Sequence, residues 1–178
     1  MQQFPQQYPQ KLWHTLNRNQ GIKSSSFGGT HERQSAACKS NGMSDLIAHV
    51  DGGSHGSPGP SGIGVVITKP DGEMVRIAKW IGHHDNNVAE YAALLEALQF
   101  AVGLKARALL VYTDSEIVVK QMTGEYACRS PRLYSLHWTC RKLARSLDFA
   151  IAHIPRERNL EANRLANHAA RKRGRAEA

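Results

Sequence analysis

Two apolar stretches of this chain each end in an aspartate. Residues 46–50 (LIAHV) run into Asp51, followed at once by Gly52 and Gly53, and residues 108–113 (ALLVYT) run into Asp114, followed by Ser115. If these stretches are neighbouring parallel strands, both carboxylates emerge at the carboxyl edge of one sheet, where open α/β folds place their ligands. Two acids meeting there suit a divalent cation. A third carboxylate, Glu90, falls in the first turn of a predicted helix, where the helix dipole by itself favours negative charge. Taken singly, each acid has an ordinary alternative: an Asx-type turn for Asp51 and Asp114, capping for Glu90. Taken together with the fold pattern, they favour a site.

The elements that must position these acids are legible from periodicity. Strand signals fall at 46–50, 62–68 and 74–81, the last two joined by Lys69-Pro70-Asp71-Gly72, whose Pro and Gly suit a hairpin. Residues 88–103 place Val88, Tyr91, Ala92, Leu95, Leu98, Gln99 and Val102 at helical spacing before Gly103. After the strand ending in Asp114 the pattern predicts a short helix over 115–122 and a longer one over 131–147, with Leu133, Leu136, Cys140, Leu143 and Leu147 on one face. A strand over 148–154 and a closing helix over 159–172 follow, the helix carrying Leu160, Ala162, Leu165, Ala166 and Ala169. The expected fold class is α/β: a five-stranded mixed sheet with helices on both faces.

At 178 residues with 41% hydrophobic content, the chain is expected to form a single domain around one core. No apolar run approaches the roughly 20 residues that cross a bilayer, and the amino terminus lacks the pattern of a signal peptide, so the expectation is a cytoplasmic protein with no membrane partner. Cys38, Cys128 and Cys140 are too scattered for a disulfide framework or a zinc site and read as free thiols. The net charge of +8 divides evenly between residues 1–44 and 45–178. That balance suits phosphate contacts around an acidic centre, and a solvated basic surface explains it equally well. Residues 1–44, rich in Gln, Ser, Asn and Gly, show no sustained period and are expected to be a disordered leader. Phe4, Tyr8, Trp13 and Phe27, interleaved with Lys11, Arg18 and Lys23, could stack on nucleic acid. The simpler reading is an unstructured segment, with Met43 just ahead of the first strand.

The segments DGGSHGSPGPSGIGVVI, NNVAEY, YTDS and IPRERNLEANRLANHAARK follow one another in an order and at separations that closely resemble ribonuclease HI, especially its short, archaeal type. The resemblance covers residues 45–173 and leaves 174–178 as a tail. It implies the ribonuclease H sheet in the order 3-2-1-4-5, which sets strands one and four side by side. It also implies a four-membered metal set on Asp51, Glu90, Asp114 and Asn163, the family pattern there reading like EADRLAN where this chain reads EANRLAN. Asparagine still offers a carbonyl oxygen to a hard cation but removes a full negative charge, so weaker binding of one ion is expected.

The implied activity is endonucleolytic hydrolysis of the RNA strand of an RNA/DNA hybrid, leaving a 3′-hydroxyl and a 5′-phosphate, with two Mg²⁺ ions and Mn²⁺ as a possible substitute. By the same analogy Asp51 bridges both ions, Glu90 and Asp114 complete the leaving-group ion, and Asn163 helps hold the ion that activates water. Gly52, Gly53 and Ser54 offer backbone that can approach the substrate closely. Asn86 and Asn87 match the family's 2′-hydroxyl-reading pair, with helix capping as their alternative. Arg156 falls on the arginine that the short type carries before its last helix, where many relatives use a loop histidine for product release. Asp85 departs from the threonine often found at its position. Only residues 124–130 (GEYACRS) stand where the longer bacterial type inserts a basic helix and loop. Hybrid affinity must then come from elsewhere, with Arg129, Arg132, Lys142 or residues 171–175 (RKRGR) as candidates; the last reads equally well as a solubilising helix end.

The expected partner is an RNA/DNA hybrid, bound by a monomer. A catalytically silent nucleic-acid-binding module, weakened through Asn163, is the competing reading, and the intact Asp51, Glu90 and Asp114 argue against it. A DNA-cleaving or reverse-transcriptase-associated domain is disfavoured by the lack of polymerase sequence and by the DGGS and NNVAE matches.

Overall fold

The first three apolar runs seen in the sequence become strands that reach further than the runs themselves. In the structure, a computed structural model describing residues 45–174, β1 spans Asp45–Ser54, β2 Gly59–Thr68 and β3 Met74–His84. The expectations for the leader and for residues 175–178 lie outside the described residues. Leu46, Ala48 and Val50 alternate along β1 and are buried in the main core, so Asp51, one residue out of phase, points toward the opposite face. β2 is buried along almost its whole length, as befits a strand covered on both sides.

Helix α1 covers Asn86–Gly103, followed by β4 at Ala108–Thr113, α2 at Glu116–Thr123, α3 at Pro131–Ala144, β5 at Asp148–His153, a 3₁₀ turn at Arg156–Arg158 and α4 at Leu160–Gly174. The sheet order is β3-β2-β1-β4-β5, with β1 antiparallel to β2 and parallel to β4. The α/β fold class, sheet order and disposition of helices are thus as expected. The Lys69–Gly72 turn closes through Gly72 N–H donating to Lys69 O at 3.0 Å, with Gly72 at φ 87°, a value glycine adopts without strain. Among the described residues no helix is long and apolar enough to cross a membrane.

The phase of α1 differs from the expected one. Its buried residues are Ala89, Tyr91, Ala93, Leu94, Ala97, Leu98 and Ala101, while Val88, Ala92, Leu95 and Val102 sit at the margins and Gln99 is exposed. Apolar side chains surround most of this helix, so hydrophobicity alone does not select a face. Packing selects the alanines, because small side chains let the helix axis approach the sheet. The longer helix stops at Ala144, three residues before its expected end, and Leu160, placed in the buried stripe of the last helix, is 50% exposed.

Helix α4 lies across β2 on the opposite face from α1. A β-carbon at Gly64 would stand 2.0 Å from Ala162 O and 2.6 Å from Ala166 N, and one at Gly62 would meet Ala166 O at 2.5 Å. Only glycines let α4 settle this closely. Gly52 does the same for α1, since a β-carbon there would lie 2.1 Å from the Ala89 carbonyl carbon.

Candidate active site

The β1–β4 register pairs His49 with Tyr112, so two residues later Asp51 and Asp114 leave adjacent parallel strands at the same edge. Asp51 is 6% exposed and Asp114 nearly as buried. Burial raises the pKa of Asp51 to about 7, the negative charge of Asp114 adding to the effect; Arg156 and the Asn163 amide only partly oppose it. Burial also raises the pKa of Glu90, with Asp114 again contributing, against hydrogen bonds from Ser115 and Asn86. The three sequence-predicted acids therefore act on one another electrostatically.

Glu90 stands one residue past the first turn of α1, so its position is not a capping one. The cap is Asp85, whose Oδ1 accepts from Val88 N–H at 2.9 Å. Asn86 is freed for another task and donates from Nδ2 to Glu90 Oε1 at 2.8 Å, while the Ser115 hydroxyl donates to Glu90 Oε2. The carboxylate is thus gripped from α1 and from the start of α2. Asn87 is exposed.

Asp114 is held by a residue that the sequence reading did not single out. Asn159, 1% exposed, donates from Nδ2 to Asp114 Oδ1 at 2.7 Å and to Val50 O at 2.9 Å, tying the ends of β4 and β1 together. Its sequence signal was its place in RNLEAN just before the helix, which reads first as a cap. Asn159→Ala leaves a buried carbonyl and a buried carboxylate without their donor. A loss of about 2–3 kcal/mol in denaturant unfolding is expected, with reduced activity; unchanged stability would show that water replaces the amide. Arg156, in the 3₁₀ turn, brings Nη1 to 3.8 Å from Asp114 Oδ2 while its side chain remains 63% exposed. Its guanidinium thus borders the acids while staying open to solvent.

Asn163 reaches the acids from α4, but nitrogen first. Its Nδ2 donates to Asp51 Oδ2 at 3.0 Å, and its Oδ1 accepts from Asn167 Nδ2 at 3.1 Å. Presenting its carbonyl oxygen to an ion at Asp51 requires the amide to turn over and Asn167 to release it. Gly52 is occupied in seating α1, and Gly53 is less constrained. The Ser54 hydroxyl lies 2.7 Å from both Gly56 O and His84 O and can donate to one at a time, bracing the β1–β2 connection.

The all-oxygen donor set fits a hard divalent cation, and buried Asp51, pushed up by a second carboxylate, is the group such a charge would most stabilise. Among the described residues no three His, Cys, Asp or Glu side chains enclose an ion as they stand. Each carboxylate is held by an amide or hydroxyl, so loading exchanges hydrogen bonds for ligand bonds. Of the other basic candidates, Arg132 pairs loosely with Asp85 at 4.0 Å, Lys142 stacks over Trp138 at 5.3 Å, and Arg129 is exposed.

The chain matches the reverse transcriptase-like family over residues 49–169. It is 40% identical over 129 residues to a bifunctional protein of Mycobacterium tuberculosis, an alignment covering 70% of this chain and 35% of that protein. The chain thus spans about a third of the length of that curated relative. The crystal structure of RNase H1 from the archaeon Halobacterium salinarum superposes with a TM-score of 0.67 at 37% identity, over 70% of this chain and 96% of that one. LC11-RNase H1, solved in complex with an RNA/DNA hybrid, gives 0.66 at 38% identity, over 72% and 98%.

Proposed function

Since the chain belongs to the ribonuclease H-like, reverse transcriptase-like family, we propose that it hydrolyses the RNA strand of RNA/DNA hybrids at the edge formed by β1 and β4. The observation that carries this reading is the meeting of buried Asp51 and Asp114 at the ends of the adjacent parallel strands β1 and β4, with Glu90 within electrostatic reach. Asp51, Glu90 and Asp114 would hold divalent cations, Mg²⁺ first and Mn²⁺ as substitute, with the Asn163 carbonyl as a further ligand after its amide turns. Such ions supply the charge that activates a water for in-line attack and stabilises the departing 3′ oxygen.

The chain's own residues do the positioning. Asn86 and Ser115 aim Glu90, Asn159 aims Asp114, and Arg156 presents a guanidinium to the phosphate that the acids would otherwise repel. Asn86, Asn87 and the backbone of Gly52–Ser54 border the edge where a wide minor groove would expose 2′-hydroxyls. The test is cleavage of labelled RNA/DNA hybrid, duplex DNA and duplex RNA with Mg²⁺, Mn²⁺ or EDTA. Cutting of the hybrid's RNA strand in the presence of either ion is expected, with 5′-phosphate ends. Cutting that persists in EDTA would contradict the reading.

Position 163 gives a graded test. In Asn163→Asp the added carboxylate is expected to lower the metal concentration for half-maximal cleavage about tenfold, and Asn163→Ala to raise it while slowing the reaction. Equal metal titrations for all three forms would remove residue 163 from the ligand set.

A further inference from the structure

The described cations divide by whether the fold neutralises them. Lys69, Arg76, Lys79, Arg107 and Lys120 each stand within 2.8 Å of a carboxylate oxygen. Arg164, Arg171 and Lys172 are exposed and make no ion pair among the described residues, as is true of Lys105, Arg141 and Arg145, but they alone of these six share a groove. With His168 they recur at helical spacing along one side of α4 and line a single groove. Arg171 and Lys172 fall in the last turns, where the helix dipole favours cations, but Arg164 is only the fifth residue of α4, so the dipole does not account for it. Exposed like charges gathered along one face set up a positive field that attracts an anion from outside the chain.

Two residues join this groove to the acids. Arg156 and Asn163 line it as well, the first 3.8 Å from Asp114 and the second bonded to Asp51. The groove therefore starts at the reaction centre and runs outward along α4. From Asn163 to Arg171 the helix rises about 12 Å, whereas successive phosphates of one strand are spaced about 3.4 Å along a duplex axis. A reach of several phosphates suits a polyanion and exceeds what a single phosphate needs. A strand that crosses the acids and continues into this groove is the strand being cut.

Resting on the hybrid-cleaving reading, we infer that Arg164, His168, Arg171 and Lys172 form a phosphate track on α4 that holds the backbone of the cleaved strand on one side of the scissile bond. The track supplies the hybrid affinity for which this chain has no inserted basic helix.

The experiment measures binding of the full chain to a labelled RNA/DNA hybrid in EDTA, across a salt series. The triple variant Arg164→Gln/Arg171→Gln/Lys172→Gln is compared with the charge-matched Lys105→Gln/Arg141→Gln/Arg145→Gln, whose sites lie toward the opposite sheet edge. The track variant is expected to bind at least about tenfold more weakly near 0.15 M salt, and its log–log salt slope to be shallower by about two to three. The control variant is expected to change the slope by less than one. Hybrids shortened on one side of the cut should lose affinity for the wild type, while the track variant should bind short and long forms alike. Thermal unfolding of both variants is expected to match the wild type, since all six positions are exposed or lie at a helix end. An unchanged slope in the track variant, or an equal change in the control, overturns the track. Failure of the wild type to cut the hybrid with Mg²⁺ or Mn²⁺ overturns the reading beneath it, and the two failures are read in separate assays.

Discussion

Asp51→Asn is expected to abolish hybrid cleavage, by at least about a hundredfold, and to make the metal-free protein more stable at pH 8. Both effects come from the same burial. With its pKa raised from 3.8 to about 7, Asp51 keeps its proton in the folded chain over a range where the unfolded chain has lost it. The Asp51 contribution to the stability of the metal-free protein therefore falls as pH rises from about 4 to about 7 and levels off above; Glu90, raised in the same sense, adds to the fall, while His49, lowered by burial, acts the other way. Asparagine keeps the shape, carries no charge and removes the Asp51 share of this dependence. The measurement is urea unfolding of both proteins between pH 4 and 8 in EDTA, taking the difference so that common titrations cancel. Added Mg²⁺ should stabilise the wild type more than the variant, because a ligand that binds only the folded form shifts the equilibrium toward it. A variant that still cuts hybrid, or a wild-type minus variant difference that grows in favour of the wild type as metal-free pH rises, would remove Asp51 from the centre of the site.

The second large effect is structural and reaches the site indirectly. Gly64 is paired with Asp51 across the β1–β2 ladder, and its missing side chain leaves room for the backbone of α4. Gly64→Ala puts a carbon where Ala162 O and Ala166 N stand, and neither atom belongs to a flexible side chain. The helix must retreat, carrying Asn163 away from Asp51. A loss of roughly 3 kcal/mol or more is expected, with activity falling further than the unfolded fraction explains. Gly103→Ala is the control: nothing lies within 4 Å of its β-carbon position, so its stability should change by less than about 1 kcal/mol. Equal denaturation midpoints for Gly64→Ala and wild type would mean that α4 is not seated on β2 as described.

The acids at residues 51 and 114 were legible from sequence because a strand that ends in charge after an unbroken apolar run leaves that charge at a sheet edge. The hairpin at Lys69–Gly72 was legible because Pro and Gly restrict or permit particular backbone angles whatever surrounds them. The joint order of four short motifs carried the sheet order, which periodicity alone left conditional. The grip of Asn159 on Asp114 and Val50 was not legible, since it joins residues 45 and 109 positions apart. Nor was the direction of the Asn163 amide, which Asn167 and Asp51 decide between them. The phase of α1 was misread because its apolar residues surround most of the helix, and only close approach to β1 at Gly52 selects the alanine face. Local pattern determines which residues can form a strand, a turn or a helix, because those choices depend on neighbouring backbone angles and side-chain spacing. Which amide meets which carboxylate, and which glycine seats which helix, follows from packing at contact distance, and such contacts exist only once distant segments have been brought together.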